Sequence, residues 1–314
     1  MWKILYRRLA TIIPTALLGT IVIFGVIQLI PGGPAYAIAG PDATPELIAT
    51  LNHEMGLDRP LPVQYGSWLG GLLEGDMGKS LVNHESVSVM IGQRLPVTAN
   101  LAASALLVAL LVGIPVGIWS AAKRRTRVDG AIKGLSSMVL SLPEFWMGML
   151  AINLFALQLA WFPATGYVPW ADGVGDHIMS IILPALTLAL GPTAVITRFT
   201  RSAMVDVLDS PYVRTAWALG LPARQIYFRF ALKNALISVV TVIGLVAGVL
   251  FGGAVLIERV YVIPGLGDLL VQGVLQKDFP VVQGSTVVMM VIIIGINLLV
   301  DLSYTSLDPR TRVA

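Results

Sequence analysis

Cysteine is absent from this chain, and histidine occurs only three times. Without cysteine there is no disulfide framework and no thiolate chemistry, and a histidine-based metal centre has little to draw on. Charge is scarce as well. Asp, Glu, Lys and Arg fill 12% of the 314 positions, about half the share of an ordinary soluble domain. Alternating apolar and polar runs of about ten residues, from which an outer-membrane barrel would be built, are also missing. What is present is overwhelmingly apolar, with 56% hydrophobic residues and a mean hydropathy of +0.80. These proportions place the chain in a lipid bilayer.

Six stretches are long and apolar enough to cross it: 9–30, 97–122, 135–157, 178–199, 235–257 and 281–302. A hydrocarbon core of about 30 Å needs about 20 residues of helix, and helices keep their backbone polar groups paired in lipid. The expected fold class is therefore an all-α integral membrane protein with six transmembrane helices. The first run exceeds the length of a signal-peptide core, so it is expected to be retained despite the cleavage-like Ala35-Tyr36-Ala37. Of the 21 Lys and Arg residues, 16 fall on the side of the N-terminus and 5 on the other. The positive-inside rule then puts both termini in the cytoplasm. Basicity here reports topology, with no nucleic-acid partner implied.

The organisation that follows has three parts. Residues 1–96 hold the first span and a large extracytoplasmic loop, which contains a short helix opening at Thr44-Pro45 and stopping at Gly56. Residues 97–303 form the five-span core, with a large cytoplasmic segment at 201–234. Residues 304–314 form a cytoplasmic tail.

Candidate chemistry is sparse. His53, His84 and His177 show no metal-ligand spacing and read as solvated residues in or beside the external loops. The stretch GDMGKS (75–80) resembles a phosphate-binding loop only superficially. The first glycine of that motif would have to stand at Leu73. No cofactor is expected on this chain, and if ATP and Mg drive it, a partner must bind them.

Ionisable residues at membrane depth would point instead to an ion gradient. Only Glu144 lies deep, in SLPEFW. Ser137, Ser141, Glu144 and Gly148 share one helical face. Glu144 then has three readings: a structural hydrogen-bonded group beside the proline break, a group lining or gating a translocation path together with Ser141, or a proton relay. Gly244, Gly248 and Gly252 in the fifth span repeat every four residues and permit close helix packing, within one bundle or across a subunit interface.

The segment SPYVRTAWALG (210–220) carries a full set of local signals. Ser210 suits the N-cap, Pro211 the first helical position, and Gly220 the left-handed residue past the end. Tyr212, Val213, Ala216, Trp217 and Leu219 form an apolar stripe, with Arg214 and Thr215 off it. About nine residues of helix span about 14 Å and are unstable alone in water. Pro222 restarts a helix, PARQIYFRFALKNAL, that runs into the fifth span. The projection could lie on the membrane surface, pack on its own chain, or dock on a cytoplasmic protein.

At these residues the sequence resembles a known family. YVRTAWALGLPARQIYFRFALKNAL is similar to the cytoplasmic loop of ABC-importer permeases of the dipeptide, oligopeptide and nickel branch, which typically reads YVRTARAKGL before a segment ending ALKNAL. Trp217 stands where that branch has a small residue or Arg. PGGPA (31–35), GLDRPLPVQYGSWL (56–69), GDMGKSL (75–81), SLPEFWMG (141–148), ILPALTLAL (182–190), VIPGLGDLL (262–270) and DPR (308–310) resemble the branch's motifs in the same order. Gly33 replaces the acidic residue of the first.

This resemblance implies a type I importer permease in the prokaryotic cytoplasmic (inner) membrane, paired with a second homologous permease subunit. It also implies two cytoplasmic ABC ATPase subunits and an extracytoplasmic solute-binding protein. The ATPase-coupling residues would be Tyr212, Val213, Arg214, Thr215, Ala216, Trp217, Leu219, Gly220 and Pro222. Short peptides are the expected cargo, with nickel chelates or glutathione-like compounds as alternatives. An ion-gradient-driven secondary transporter and a membrane scaffold are the competing classes.

Overall fold

A computed structural model describes residues 2–29, 33–39 and 43–307. The DPR motif at 308–310 and the first two residues of PGGPA lie outside them. Among the described residues there is no strand, only an isolated bridge between Lys79 and Ser86.

In chain order the helices are α1 (Trp2–Gln28), α2 (Gly33–Ala39), α3 (Pro45–Glu54), α4 (Leu61–Glu74), α5 (Val87–Ala122) and α6 (Arg127–Ser141). Next come α7 (Glu144–Ala151), which continues as a π-helical segment (Ile152–Gln158), α8 (Val174–Leu208) and α9 (Pro211–Ala218). A short α10 (Ala223–Gln225) passes through a second π segment (Ile226–Ala231) into α11 (Leu232–Tyr261), followed by α12 (Leu266–Gln276) and α13 (Phe279–Leu307).

Among the described residues, five helical stretches are long and apolar enough to cross a membrane: Ala10–Gln28, Val87–Ala122, Val174–Leu208, Val239–Tyr261 and Phe279–Val300. The sixth expected span, 135–157, is not one helix. Arg127–Ser141 and Glu144–Gln158 meet at a bend of 101°. Pro143 explains it: proline has no N–H to continue the ladder, and it drives the preceding residue out of the helical region. Leu142 is accordingly extended, at φ −97° and ψ 138°.

The backbone divides into two compact units, Met1–Thr98 with Pro264–Ile294, and Ala99–Ile263 with Gly295–Ala314. In the first, the long loop after α1 is largely helical. Thr44 caps α3 by accepting from the Leu47 N–H at 3.3 Å, and Gly56 at φ +66° follows its end. Aromatic packing of Phe24, Tyr65 and Trp68 holds α4 against α1, with centroids 5.6 to 6.1 Å apart. The GDMGKS stretch is a tied-down loop: the Ser80 hydroxyl donates to the buried Asp278 carboxylate, and the Leu81 N–H donates to it at 3.1 Å.

In the second unit, α8 is the central helix, packing along α11 and against α6 and α7. Ile181, Leu188, Ile196 and Met204 of α8 are all buried. The α5 glycines make close approach possible. A Cβ on Gly117 would lie 2.6 Å from Thr200 Cβ and 2.8 Å from the Thr197 carbonyl, and one on Gly113 would lie 2.9 Å from Ile196. These two glycines are four residues apart, the same small-residue spacing noted in the fifth span.

Candidate functional site

The short helix α9 is held by its own ends. Past its last turn, the Gly220 N–H donates to the Trp217 carbonyl at 3.0 Å and the Leu221 N–H to the Ala216 carbonyl at 3.3 Å. This nested pair closes the helix around a left-handed glycine, and Gly220 sits at φ +74°. Pro222, extended at φ −65° and ψ 142°, then opens the next helix. At the other end Pro211 occupies the first turn as expected. The expected capping by the Ser210 side chain does not occur. Its hydroxyl donates back to the Val207 carbonyl at 2.5 Å, joining the Ser210 N–H that meets the same carbonyl at 3.0 Å where α8 ends.

The apolar stripe of α9 splits in two. Val213 and Ala216 are buried in a cluster with Met204 and Leu208 of α8, Ala121 of α5, and Ile226 and Ala231 of the following helix. Leu221 packs against the same cluster. On the other side, Tyr212 and Trp217 are each 45% exposed and Leu219 is 74% exposed. Arg214 and Thr215 are exposed with them. Trp217 rests edge-on against Tyr227 at 6.3 Å, and the Tyr212 hydroxyl accepts from Asn234 at 2.9 Å. Half of the stripe therefore anchors the helix rigidly, while the other half presents aromatic and apolar surface beside a cation.

Behind that anchor stands a charged hub that the sequence alone did not suggest. Asp129, 1% exposed, receives the Arg201 guanidinium at 2.5 and 2.8 Å, the Ser120 hydroxyl at 2.8 Å and the Arg125 N–H at 3.2 Å. The Lys133 ammonium lies 3.5 Å away. The hub fastens α5, α6 and α8 together near the base of α9. A second pair, Arg124 with Asp209 at 2.7 Å, is solvent-exposed, and the guanidinium holds the Asp209 carboxyl below the usual carboxylate range.

The bend at Pro143 separates the residues expected on one face. Ser137 and Ser141 are exposed, with the Ser141 hydroxyl donating to the Ser137 carbonyl at 2.8 Å. Glu144 and Gly148 turn toward α8 and α11. Gly148 is buried, and Tyr261 and Thr187 would meet a Cβ there at 3.4 and 3.5 Å. Glu144 is half-buried over two glycines: Cβ atoms on Gly191 and Gly253 would lie 3.3 and 2.8 Å from its carboxylate oxygens.

Along α11, Gly244 lies against Val300 of α13, where a Cβ would come within 2.1 Å of that side chain. Gly252 is exposed, with open space around it, and Gly248 is partly buried.

The histidines divide as well. His53 is exposed and paired with Asp58 at 2.8 Å, and His84 is exposed. His177 corrects the expectation of a solvated residue, being wholly buried. Its Nδ1–H donates to the Val168 carbonyl at 2.6 Å and its Nε2 accepts from Asn100 at 2.9 Å, with Trp170 stacked at 3.8 Å. Aromatic neighbours and satisfied ring nitrogens explain the burial. Among the described residues no group of three His, Cys, Asp or Glu could hold a metal ion.

Residues 113–313 match the family described as binding-protein-dependent transport system inner membrane component, and residues 1–102 match its N-terminal companion. The chain belongs to that family. This permease is 42% identical over 312 residues to a protein described as a peptide transport system permease in Brucella abortus (strain 2308), covering 99% of each chain. It is 38% identical to the glutathione transport system permease protein GsiC of Salmonella typhi, again over 99% of both. In fold it is similar to the MetNI methionine ABC transporter solved in an inward-facing conformation, with a TM-score of 0.60 at 15% identity, covering 70% of this permease and 96% of that chain. The permease is thus a multi-pass inner-membrane subunit of an ABC importer with the type I permease fold.

Proposed function

We propose that this permease moves short peptides inward, and that α9 is the element through which partner ATPases drive it. Peptide cargo is supported by the relatives described as peptide permeases at 42% identity, and a glutathione-like tripeptide falls within the same class. The observation that carries the coupling role is the split face of α9: Val213 and Ala216 locked into the chain's own core, Trp217, Leu219 and Tyr212 left outside it. A short helix so anchored moves with α8 and α11 as one body. Pushing its free face shifts the spans.

In this reading both termini and α9 are cytoplasmic, a topology that the distribution of Lys and Arg supports. Two ATPase subunits seat α9 and its counterpart on a second, homologous permease, and they bind all the ATP and Mg. A solute-binding protein delivers cargo to the external loop within 1–96, and the core at 97–303 alternates access. Ser141 and Glu144, at the broken third span, line or gate the path. The permease itself does no covalent chemistry. Its part is a conformational equilibrium biased by ligands bound elsewhere.

Copurification tests the coupling role. The wild-type chain brings down its ATPase subunits, whereas Trp217→Glu, which puts a carboxylate on the free face only, loses them while the permease still reaches the membrane. Retention of the ATPases by that variant would refute the assignment.

A further inference from the structure

Glu144 opens α7, where the positive pole of the helix dipole suits a carboxylate, but no described side chain pairs with it. Among the described residues its carboxylate forms no hydrogen bond and no ion pair, yet it is half-buried at the break of a bent helix pair that can cross a membrane as one span. A carboxylate at membrane depth is costly and persists where it faces a partner or a water-filled path. Its seat is made for it. Gly191 of α8 and Gly253 of α11 leave bare backbone where any side chain would press on the two carboxylate oxygens, at 3.3 and 2.8 Å.

A second feature of the same place is the carboxyl end of α6. The 101° break ends α6 at Ser141, where the Val139 carbonyl takes the Leu142 N–H at 3.3 Å and the Ser137 carbonyl takes the Ser141 hydroxyl at 2.8 Å. The Leu140 and Ser141 carbonyls, the last of α6, take no hydrogen bond among the described residues. The carboxyl end of a helix carries the negative pole of its dipole, and broken membrane helices use such ends to meet cations.

We infer that Glu144, seated on Gly191 and Gly253 at the break between α6 and α7, is the counter-charge for the ammonium groups of the passing peptide. This rests on the peptide reading given above. Every free peptide carries one ammonium group at its amino end, and a lysine side chain adds a second. An ammonium crossing the bilayer without a counter-charge meets a high barrier, so the carboxylate speeds positively charged cargo most and anionic cargo least.

The test uses the whole importer in proteoliposomes, with its ATPases, second permease and saturating binding protein. Initial ATP-driven uptake of Ala-Lys-Ala, Ala-Ala-Ala and Ala-Glu-Ala is measured for wild type and Glu144→Gln. Taking the variant-to-wild-type ratio for each peptide cancels the binding protein's own preference. We expect uptake of Ala-Lys-Ala to fall about five- to tenfold, Ala-Ala-Ala less, and Ala-Glu-Ala within about twofold. Gly253→Ala, which keeps the charge and displaces the carboxylate, should give the same order with smaller losses, and it carries the test if Glu144→Gln fails to assemble. Equal losses for all three peptides, or no loss for any, overturn this inference alone. A wild-type importer that moves none of them overturns the peptide reading, and the inference with it.

Discussion

Removing the Asp129 carboxylate should loosen the base of α9 more than any other single polar change near it. In Asp129→Ala the Arg201 guanidinium loses both short contacts and the Ser120 hydroxyl loses its acceptor. Breaking a buried pair by deleting one partner costs about 3 to 5 kcal/mol. The Arg201 side chain is 23% exposed, so it regains some hydration and the low end, about 3 kcal/mol, applies. At about 2 to 4 °C per kcal/mol this lowers the thermal midpoint of the purified permease by about 6 to 12 °C. Arg201→Ala should cost less, since Asp129 keeps the Arg125 N–H and Lys133 nearby. The double variant is the sharper assay. Once Asp129 is gone, deleting the guanidinium removes an uncompensated charge, so the two losses should fall short of additivity by at least about 1.5 kcal/mol. Strictly additive losses, or a midpoint within about 2 °C of wild type for Asp129→Ala, would show that the hub does not fasten these helices.

Other substitutions separate packing from coupling. Proline at Ala216 removes a helical hydrogen bond inside α9, so ATP-driven uptake should vanish while the protein still reaches the membrane; normal uptake counts against the coupling helix. Gly117→Ala should destabilise by about 1 to 3 kcal/mol because its Cβ meets the α8 backbone, whereas Gly252→Ala, in open space, should leave the thermal midpoint unchanged. His177→Ala strips the Val168 carbonyl and Asn100 of their partner and should cost about 1 to 3 kcal/mol, read in the same melting assay, with metal content unaffected.

Local signals were legible in the sequence. Pro211 and Gly220 mark the ends of α9 because caps depend on a few neighbouring residues, and the apolar runs mark the spans because lipid demands length. Features made by distant contacts were not. Nothing in YVRTAWALG says that Val213 faces inward while Trp217 faces out, since that depends on Met204 and Leu208 of α8. Asp129 and Arg201 are 72 positions apart, and each alone reads as a surface charge. His177 looked solvated because its burial is made by Asn100, Val168 and Trp170, which only the fold assembles. Gly113 and Gly117 carried a readable spacing that the longer glycine stripe of α11 overshadowed. Pro143 signalled a break, but a bend of 101° needs α8 and α11 to pack against its far arm.

The coupling role of α9 is tested most directly by a thiol on its free face. The chain has no cysteine, so Trp217→Cys introduces a single reactive site. In inner-membrane vesicles holding the assembled importer, a short bifunctional reagent should link Cys at that position to an ATPase subunit, and ATP should change the yield. A thiol that reacts freely with soluble reagents in the assembled importer, and never crosslinks to an ATPase under any nucleotide condition, would contradict the account.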